Sequence, residues 1–352
     1  MKSHIRKSVQ NLKPYTPGEQ PAIANIVKLN TNENAYPPSP KVAEALREFA
    51  ADALNRYPDP NGSRLRARLA QLHGCDADCI FIGNGSDEVL RLATGAWVED
   101  DGAIGFFNPS YSLYPVLAAI RDVPGVAIPL PDPQDLPDAL AKAALPKPPD
   151  LFFIANPNAP TSTHFPQAAV RAFCERFPGV VVIDEAYAAF AEEDCLELAT
   201  TLPNAVVCRT MSKAWSLAGI RLGYAIGPKN LIDALYKIKD SYNINSLTQT
   251  AALAALADPD WMRRNRDRIV ATRGRLAREL RALGWTVADS ATNFLWCKPP
   301  ASTTATDVMA LLRTSGIIVR HFPGPVTGDH VRITIGTDKQ TDFLLEVLKK
   351  GK

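Results

Sequence analysis

The sequence predicts an α/β fold, with a large domain on a mostly parallel sheet and a smaller α/β unit after it. Three observations carry that expectation. A chain of 352 residues exceeds what one hydrophobic core usually organises, so two domains are expected. Short apolar runs without polar alternation recur between residues 79 and 227, as in strands covered on both faces. Beyond residue 245 that rhythm gives way to a long Arg-rich helical stretch and shorter strand-like runs.

Taken in order, residues 39–54, SPKVAEALREFAADAL, open with Ser39 as N-cap and Pro40 at the first helical position. Val42, Ala45, Leu46, Phe49 and Ala53 then recur as one apolar stripe. A second amphipathic helix over Arg64–Leu72 turns Leu65, Leu69 and Leu72 inward and stops at Gly74. The apolar runs that follow are CIFIG (79–83), AIGFF (103–107), GVAIPL (125–130), LFFIAN (151–156), VVVID (180–184), AVVCR (205–209) and GYAIG (223–227). The lengths between them suit crossover helices, hence a largely parallel sheet. Residues 130–150 are Pro-rich and read as a surface connection with one short helix. Residues 261–284 form a long helix with Ile269, Leu276, Leu280 and Leu283 apolar and the arginines solvated. Strand-like 293–297, a helix over 306–316, strand-like 317–320 and 331–336, and a terminal helix complete the smaller unit. The expected division is an N-terminal arm (1–38), a large domain (39–244) and a small C-terminal domain (245–352).

Composition narrows the function. Hydrophobic content of 46%, charged content of 22% and a net charge of +2 are ordinary for a globular enzyme and leave no basic footprint for nucleic acid or membrane. The basic N-terminus lacks an apolar run and does not read as a secretory signal, so a cytoplasmic location is expected. The six cysteines are dispersed, and His73, Cys75 and Cys79 lack zinc-site spacing, so no metal is expected.

In open α/β sheets, ligands bind at the carboxyl ends of the strands. The polar residues closing the apolar runs form a set there. GNGSDE (83–88) has glycines for a tight turn and places the Ser86 and Asp87 amides at a helix N-terminus, able to face an anion. Asn156 closes one run. Asp184 closes another, with Tyr187 three residues on. Thr210, Ser212 and Lys213 close a third, in VVCRTMSK. A phosphate anchor, a carboxylate, a phenol and a lysine are together what pyridoxal 5'-phosphate needs. The lysine forms a Schiff base, the carboxylate keeps the pyridine nitrogen protonated, and the protonated ring withdraws electrons from the substrate Cα.

The chain resembles the fold-type I aminotransferases and, within them, the histidinol-phosphate aminotransferases. The resemblance runs over nearly the whole length. It is carried by PYTPGE (14–19), LNTNENAYPPSP (29–40), RYPDPNG (56–62), GNGSDEVL (83–90), NPSYSLY (108–114), ANPNAPT (155–161), IDEAYAAF (183–190), RTMSKAWSLAGIRLGYAIG (209–227), YNINSLTQ (242–249) and RITIGT (332–337). It implies a fold-type I pyridoxal-phosphate transferase that moves an amino group between L-histidinol phosphate and 2-oxoglutarate. Lys213 would hold the cofactor, Asp184 would pair with its ring nitrogen, and Tyr187 and Asn156 would hold O3′. Tyr111 would stack on the ring. Ser86, Asp87, Thr210, Ser212 and Arg221 would bind the cofactor phosphate, and Tyr57 would reach the phosphate in the second subunit of a homodimer. Arg332 would clamp the substrate anion, with Arg320 and Tyr15 at the distal end of the substrate. Departures from the family pattern fall in NENAYP, where Ala35 and Pro37 replace a proline and a glycine, and in the loop after Arg320. Both bear on substrate choice. The alternative readings of this chain are an aromatic amino-acid aminotransferase or a threonine-phosphate decarboxylase on the same scaffold and, more remotely, a non-catalytic regulator that binds the cofactor.

Overall fold

The computed structural model describes residues 4–21, 25–143 and 145–351. The arm enters through β1 (Val27–Lys28). The large domain then contributes β2 (Ile80–Asn84), β3 (Ile104–Asn108), β4 (Gly125–Pro129), β5 (Leu151–Ala155), β6 (Val180–Asp184), β7 (Ala205–Thr210) and β8 (Leu222–Ile226). These seven form one sheet in the order β2-β8-β7-β6-β5-β3-β4. All pairings are parallel except those of β8, which runs antiparallel to both β2 and β7. The apolar runs are therefore strands, as expected, in a mostly parallel sheet. The reversal of β8 follows from the short path between it and β7, because residues 211–221 return the chain to the edge where β7 ended.

The strands inside the sheet are apolar on both faces because each face has a core, whereas the edge strand β4 buries only Ile128. Ile82, Phe152, Ile154, Ile183 and Val207 pack against helices on one side, with Leu65, Leu69 and Phe173. Phe81, Phe106, Phe153, Val182 and Val206 pack on the other, with Val89, Leu117 and Ile232. Alternation is thus present in three dimensions, but both directions are dry.

The smaller unit holds β9 (Thr286–Val287), β10 (Phe294–Lys298), β11 (Ile317–Ile318), β12 (Arg320–His321) and β13 (Val331–Thr334). One sheet runs β12-β13-β10-β9, and β11 pairs in parallel with β1 of the arm. Leu29 and Tyr36 of the arm share a core with Ile269, Leu276, Leu280 and Leu344. The helix Ser246–Leu256, which follows residue 245, buries Ala251, Ala252 and Ala255 in the large core.

Two helices depart from the expectation. The first is helical only over Pro40–Arg47, capped by Ser39 as foreseen, and continues as a 3-10 turn over Ala51–Asn55. Of its expected stripe only Val42 is buried, so no packing supports a longer helix. In the second helix, Ser63–His73, Leu65 and Leu69 are buried but Leu72 is exposed. Gly74 ends it at φ +66°.

Candidate active site

The carboxyl ends of the parallel strands open into a cavity of about 240 Å³ that also takes walls from the arm and from β12 and β13. Of the site residues expected from sequence, Tyr15, Ser86, Asp87, Tyr111, Asp184, Tyr187, Thr210, Ser212, Lys213, Arg221, Arg320 and Arg332 line it. Asn156 and Tyr57 do not.

One end is a helix N-terminus. Gly85, at φ +79°, precedes the helix Ser86–Trp97, so Ser86 is its first helical residue and not its cap. The first amides of a helix lack intrahelical partners. Backbone and side chain crowd together here: a Cβ at Gly85 would come 2.5 Å from Arg221 Nη2, and one at Gly223 would come 2.3 Å from the Ser86 nitrogen. Only glycine fits at either place. Arg221 Nη2 reaches Asp87 Oδ2 at 3.3 Å and its Nη1 reaches Ser212 Oγ at 3.4 Å. Thr210 Oγ1 donates to Ser212 Oγ at 2.9 Å. Amides, hydroxyls and a guanidinium thus converge into a cradle for a phosphate-sized anion.

Asp184, at the end of β6, is buried. Its Oδ2 accepts from Tyr114 Oη at 2.9 Å and its Oδ1 from the Ala186 amide at 3.3 Å. Burial raises its carboxyl to about 6, against the pull of the Tyr114 bond. Sequence reading missed Tyr114. It follows Tyr111 by three residues, across the start of the helix Leu113–Arg121, and that spacing was the available signal. Tyr111 Oη donates to Asp87 Oδ1 at 3.1 Å. Tyr15 meets Tyr111 edge to face at 5.8 Å.

Lys213 Nζ donates to Thr31 O at 3.2 Å. Withdrawal from water, then the nearby charge of Arg332, lowers its amine to about 8. Asn34 of the arm holds the Lys213 and Ala214 carbonyls at 3.0 and 3.2 Å, fixing the backbone behind the amine. Tyr187 Oη accepts from Asn32 Nδ2 at 2.8 Å. Asn32, a second residue that sequence reading left out of the site, joins the arm to the phenol.

Asn156 requires a correction. Its Nδ2 donates to Phe165 O and its Oδ1 accepts from the Phe165 amide, both at 2.9 Å, so the side chain closes its own loop. Asn158 is likewise bound to Ser110, Pro109 and Thr161. What the loop shows the cavity is Ala155, Pro157, Ala159 and Pro160. It offers no amide side chain for a cofactor oxygen. Tyr57 is 80% exposed and stacks on Tyr242 at 4.3 Å, on the surface of the chain.

Another wall of the cavity is cationic. Arg332 Nη2 donates to Asn30 O at 2.8 Å, while its buried Nε has no partner among the described residues. Burial is the main cause, and the like charge of Arg320 adds to it, in pushing the guanidinium below the ordinary arginine value. Among the described residues the Arg320 guanidinium donates to the carbonyls of Thr16 and Pro17, at 3.3 and 3.4 Å. Two arginines therefore face one cavity without a carboxylate paired to either among the described residues.

The class I and II aminotransferase family model matches residues 24–348. The chain belongs to that family. Similar curated members include histidinol-phosphate aminotransferase 1 of Burkholderia pseudomallei, 43% identical over 97% of each chain. Another is histidinol-phosphate aminotransferase 1 of Bradyrhizobium diazoefficiens, 41% identical over 97% of each. Among solved structures, the histidinol-phosphate aminotransferase of Sinorhizobium meliloti in complex with pyridoxal-5'-phosphate is 28% identical. It superposes with a TM-score of 0.88 over 100% of this chain and 99% of that one. This aminotransferase thus has the fold-type I architecture expected from its motifs. No helix among the described residues is long and apolar enough to cross a membrane.

Proposed function

We propose that the chain transfers an amino group between L-histidinol phosphate and 2-oxoglutarate, using pyridoxal 5'-phosphate. The observation that carries this reading is Lys213, with its lowered amine, lining one cavity together with an anion cradle and two arginines that no carboxylate pairs with among the described residues. The names borne by the relatives agree with it.

The residues present suit the cofactor. The glycine-walled cradle of Ser86, Asp87, Thr210, Ser212 and Arg221 would hold its phosphate, and the buried Asp184 carboxylate would face its ring nitrogen. When bound, the cofactor supplies an electron sink for a carbanion at the substrate Cα. Asp184 needs a cationic partner to stay ionised in its dry pocket, and Tyr114 already donates to it. Lys213 Nζ would anchor the cofactor and afterwards hold and move the proton taken from the substrate. An amine lowered to about 8 has a neutral fraction near pH 7 that an ordinary lysine lacks. With Asn156 committed to its loop, Tyr187 would be the donor left for O3′, and Tyr111 would lie against the ring. Arg332 and Arg320 would take the phosphomonoester of one substrate and the carboxylates of the other, with Tyr15 beside them.

The division into an arm (1–38), a cofactor domain (39–244) and a small domain (245–352) belongs to the same reading, as does a cytoplasmic location. So does a homodimer. The exposed Tyr57–Tyr242 stack and the exposed Leu54 suit contact with a second copy, through which Tyr57 would reach the partner's cofactor phosphate.

A single-turnover screen tests the reading. The cofactor-loaded enzyme is mixed in turn with histidinol phosphate, phenylalanine, tyrosine and threonine phosphate, while cofactor absorbance and carbon dioxide release are followed. Histidinol phosphate should react fastest without carbon dioxide, and Lys213→Ala should not turn over. Faster reaction of another donor, or carbon dioxide from threonine phosphate, would overturn the substrate assignment.

A further inference from the structure

Arg320 and Arg332 are register partners on the antiparallel strands β12 and β13. Like charges placed directly opposite on such strands repel. Proteins commonly relieve such a pair with an interposed carboxylate, and none serves here among the described residues. Phe322 stands in that place. Its ring centroid lies 5.2 Å from the Arg320 guanidinium carbon and 5.2 Å from that of Arg332. The ring is itself held. Trp296 lies 6.1 Å away and is itself stacked on His330 at 4.8 Å, and His321 Nε2 donates to Gly328 O at 2.8 Å across the same loop.

We propose that Phe322 is a specificity-determining residue that takes the place of a counter-ion between the two arginines. A carboxylate there would neutralise them and compete with the substrate. An aromatic ring attracts cations through its negatively polarised faces but accepts no strong hydrogen bond, so it takes up none of the guanidinium N–H groups that the backbone carbonyls leave over. The pair is thereby kept charged, adjacent and without a carboxylate among the described residues, the state that favours a ligand with two negative charges: a phosphomonoester dianion or a dicarboxylate. Phe322 also lines the cavity, so it touches the space such a ligand would fill. The inference rests on the proposed role of the two arginines in substrate binding.

The test uses the cofactor-loaded enzyme and glutarate, a dicarboxylate that cannot react, titrated by its effect on cofactor absorbance. Phe322 is replaced by Leu, by Tyr and by pentafluorophenylalanine, which keeps the shape of the ring and reverses its electrostatics. Phe322→Leu and the fluorinated residue should each weaken glutarate binding about 5- to 30-fold and raise KM for both substrates alike, with kcat within about twofold. Phe322→Tyr should bind as the natural protein does. Wild-type affinity in the fluorinated protein would overturn the proposal by showing that only shape matters, and so would equal losses in all three variants. Arg332→Gln separates this from the underlying reading. Unchanged glutarate binding there removes the arginines as the anion site, whereas weakened binding there with no effect at Phe322 removes only the role of the ring.

Discussion

Arg209 and Arg332 are both arginines drawn out of water near strand ends, and their surroundings answer that burial in opposite ways. Arg209 donates through Nε and Nη2 to Glu185 Oε2 at 2.9 and 2.7 Å, and Nη2 also meets Asp194 Oδ2 at 2.7 Å. The Glu185 side chain is fully buried and also accepts from the Cys195 amide. Burial works against the Arg209 charge, but Glu185 and Asp194 more than reverse it, and the guanidinium is held above its ordinary value. Arg332 has a carbonyl, aromatic rings and a second arginine for company, and its affinity for the proton falls. A buried charge is costly unless paired. One region of the molecule meets that cost inside the fold, and the other leaves it for a ligand to meet. The paired arginine is structure, and the unpaired one is a site.

The largest expected effect breaks the first half of this comparison. Arg209→Met leaves Glu185 buried without its cation and should cost about 3–5 kcal/mol of unfolding free energy in denaturant titrations. Replacing Glu185 by Met as well should recover much of that loss. If the double variant is no more stable than the single, Arg209 is not acting through its partner. Arg332→Gln tests the other half. It should lower kcat/KM by about 3 kcal/mol in transition-state terms, while the denaturation midpoint stays put or rises because an unpaired charge has gone. A stability loss matching that of Arg209→Met would abolish the distinction.

A third measurement sharpens the comparison at Lys213, a further cation of the cavity without a carboxylate partner among the described residues. In the folded chain its amine is lowered to about 8, from an ordinary value of 10.5. Between those values the unfolded chain binds more protons than the folded one, so stability rises with pH across that window. The cofactor-free protein should therefore gain about 3 kcal/mol relative to Lys213→Met on going from below pH 8 to above 10.5. A constant difference between the two proteins over that range would mean that the folded amine is not held down.

Much of this was legible before any coordinates. The strands were readable because both sheet faces are dry, and the helix start at Ser39 because its cap is local. Asp184 and Lys213 were readable because strand ends deliver side chains to one edge. Asn156 misled because an amide at a strand end can turn either way, and here the Phe165 backbone, nine residues on, claims both its atoms. Tyr114 and Asn32 were missed because their importance lies in single contacts across 70 and 155 residues of chain.

What the sequence determined by itself was the chemistry available and the edge of the sheet where it would gather, since apolar periodicity and local turn residues act over a few positions. The tertiary structure alone decided the direction of β8, the commitment of Asn156 to its own loop, and the pairing of Arg209 but not of Arg332. Each of those depends on which distant group arrives to satisfy a polar atom removed from water, and no stretch of contiguous residues encodes that arrival.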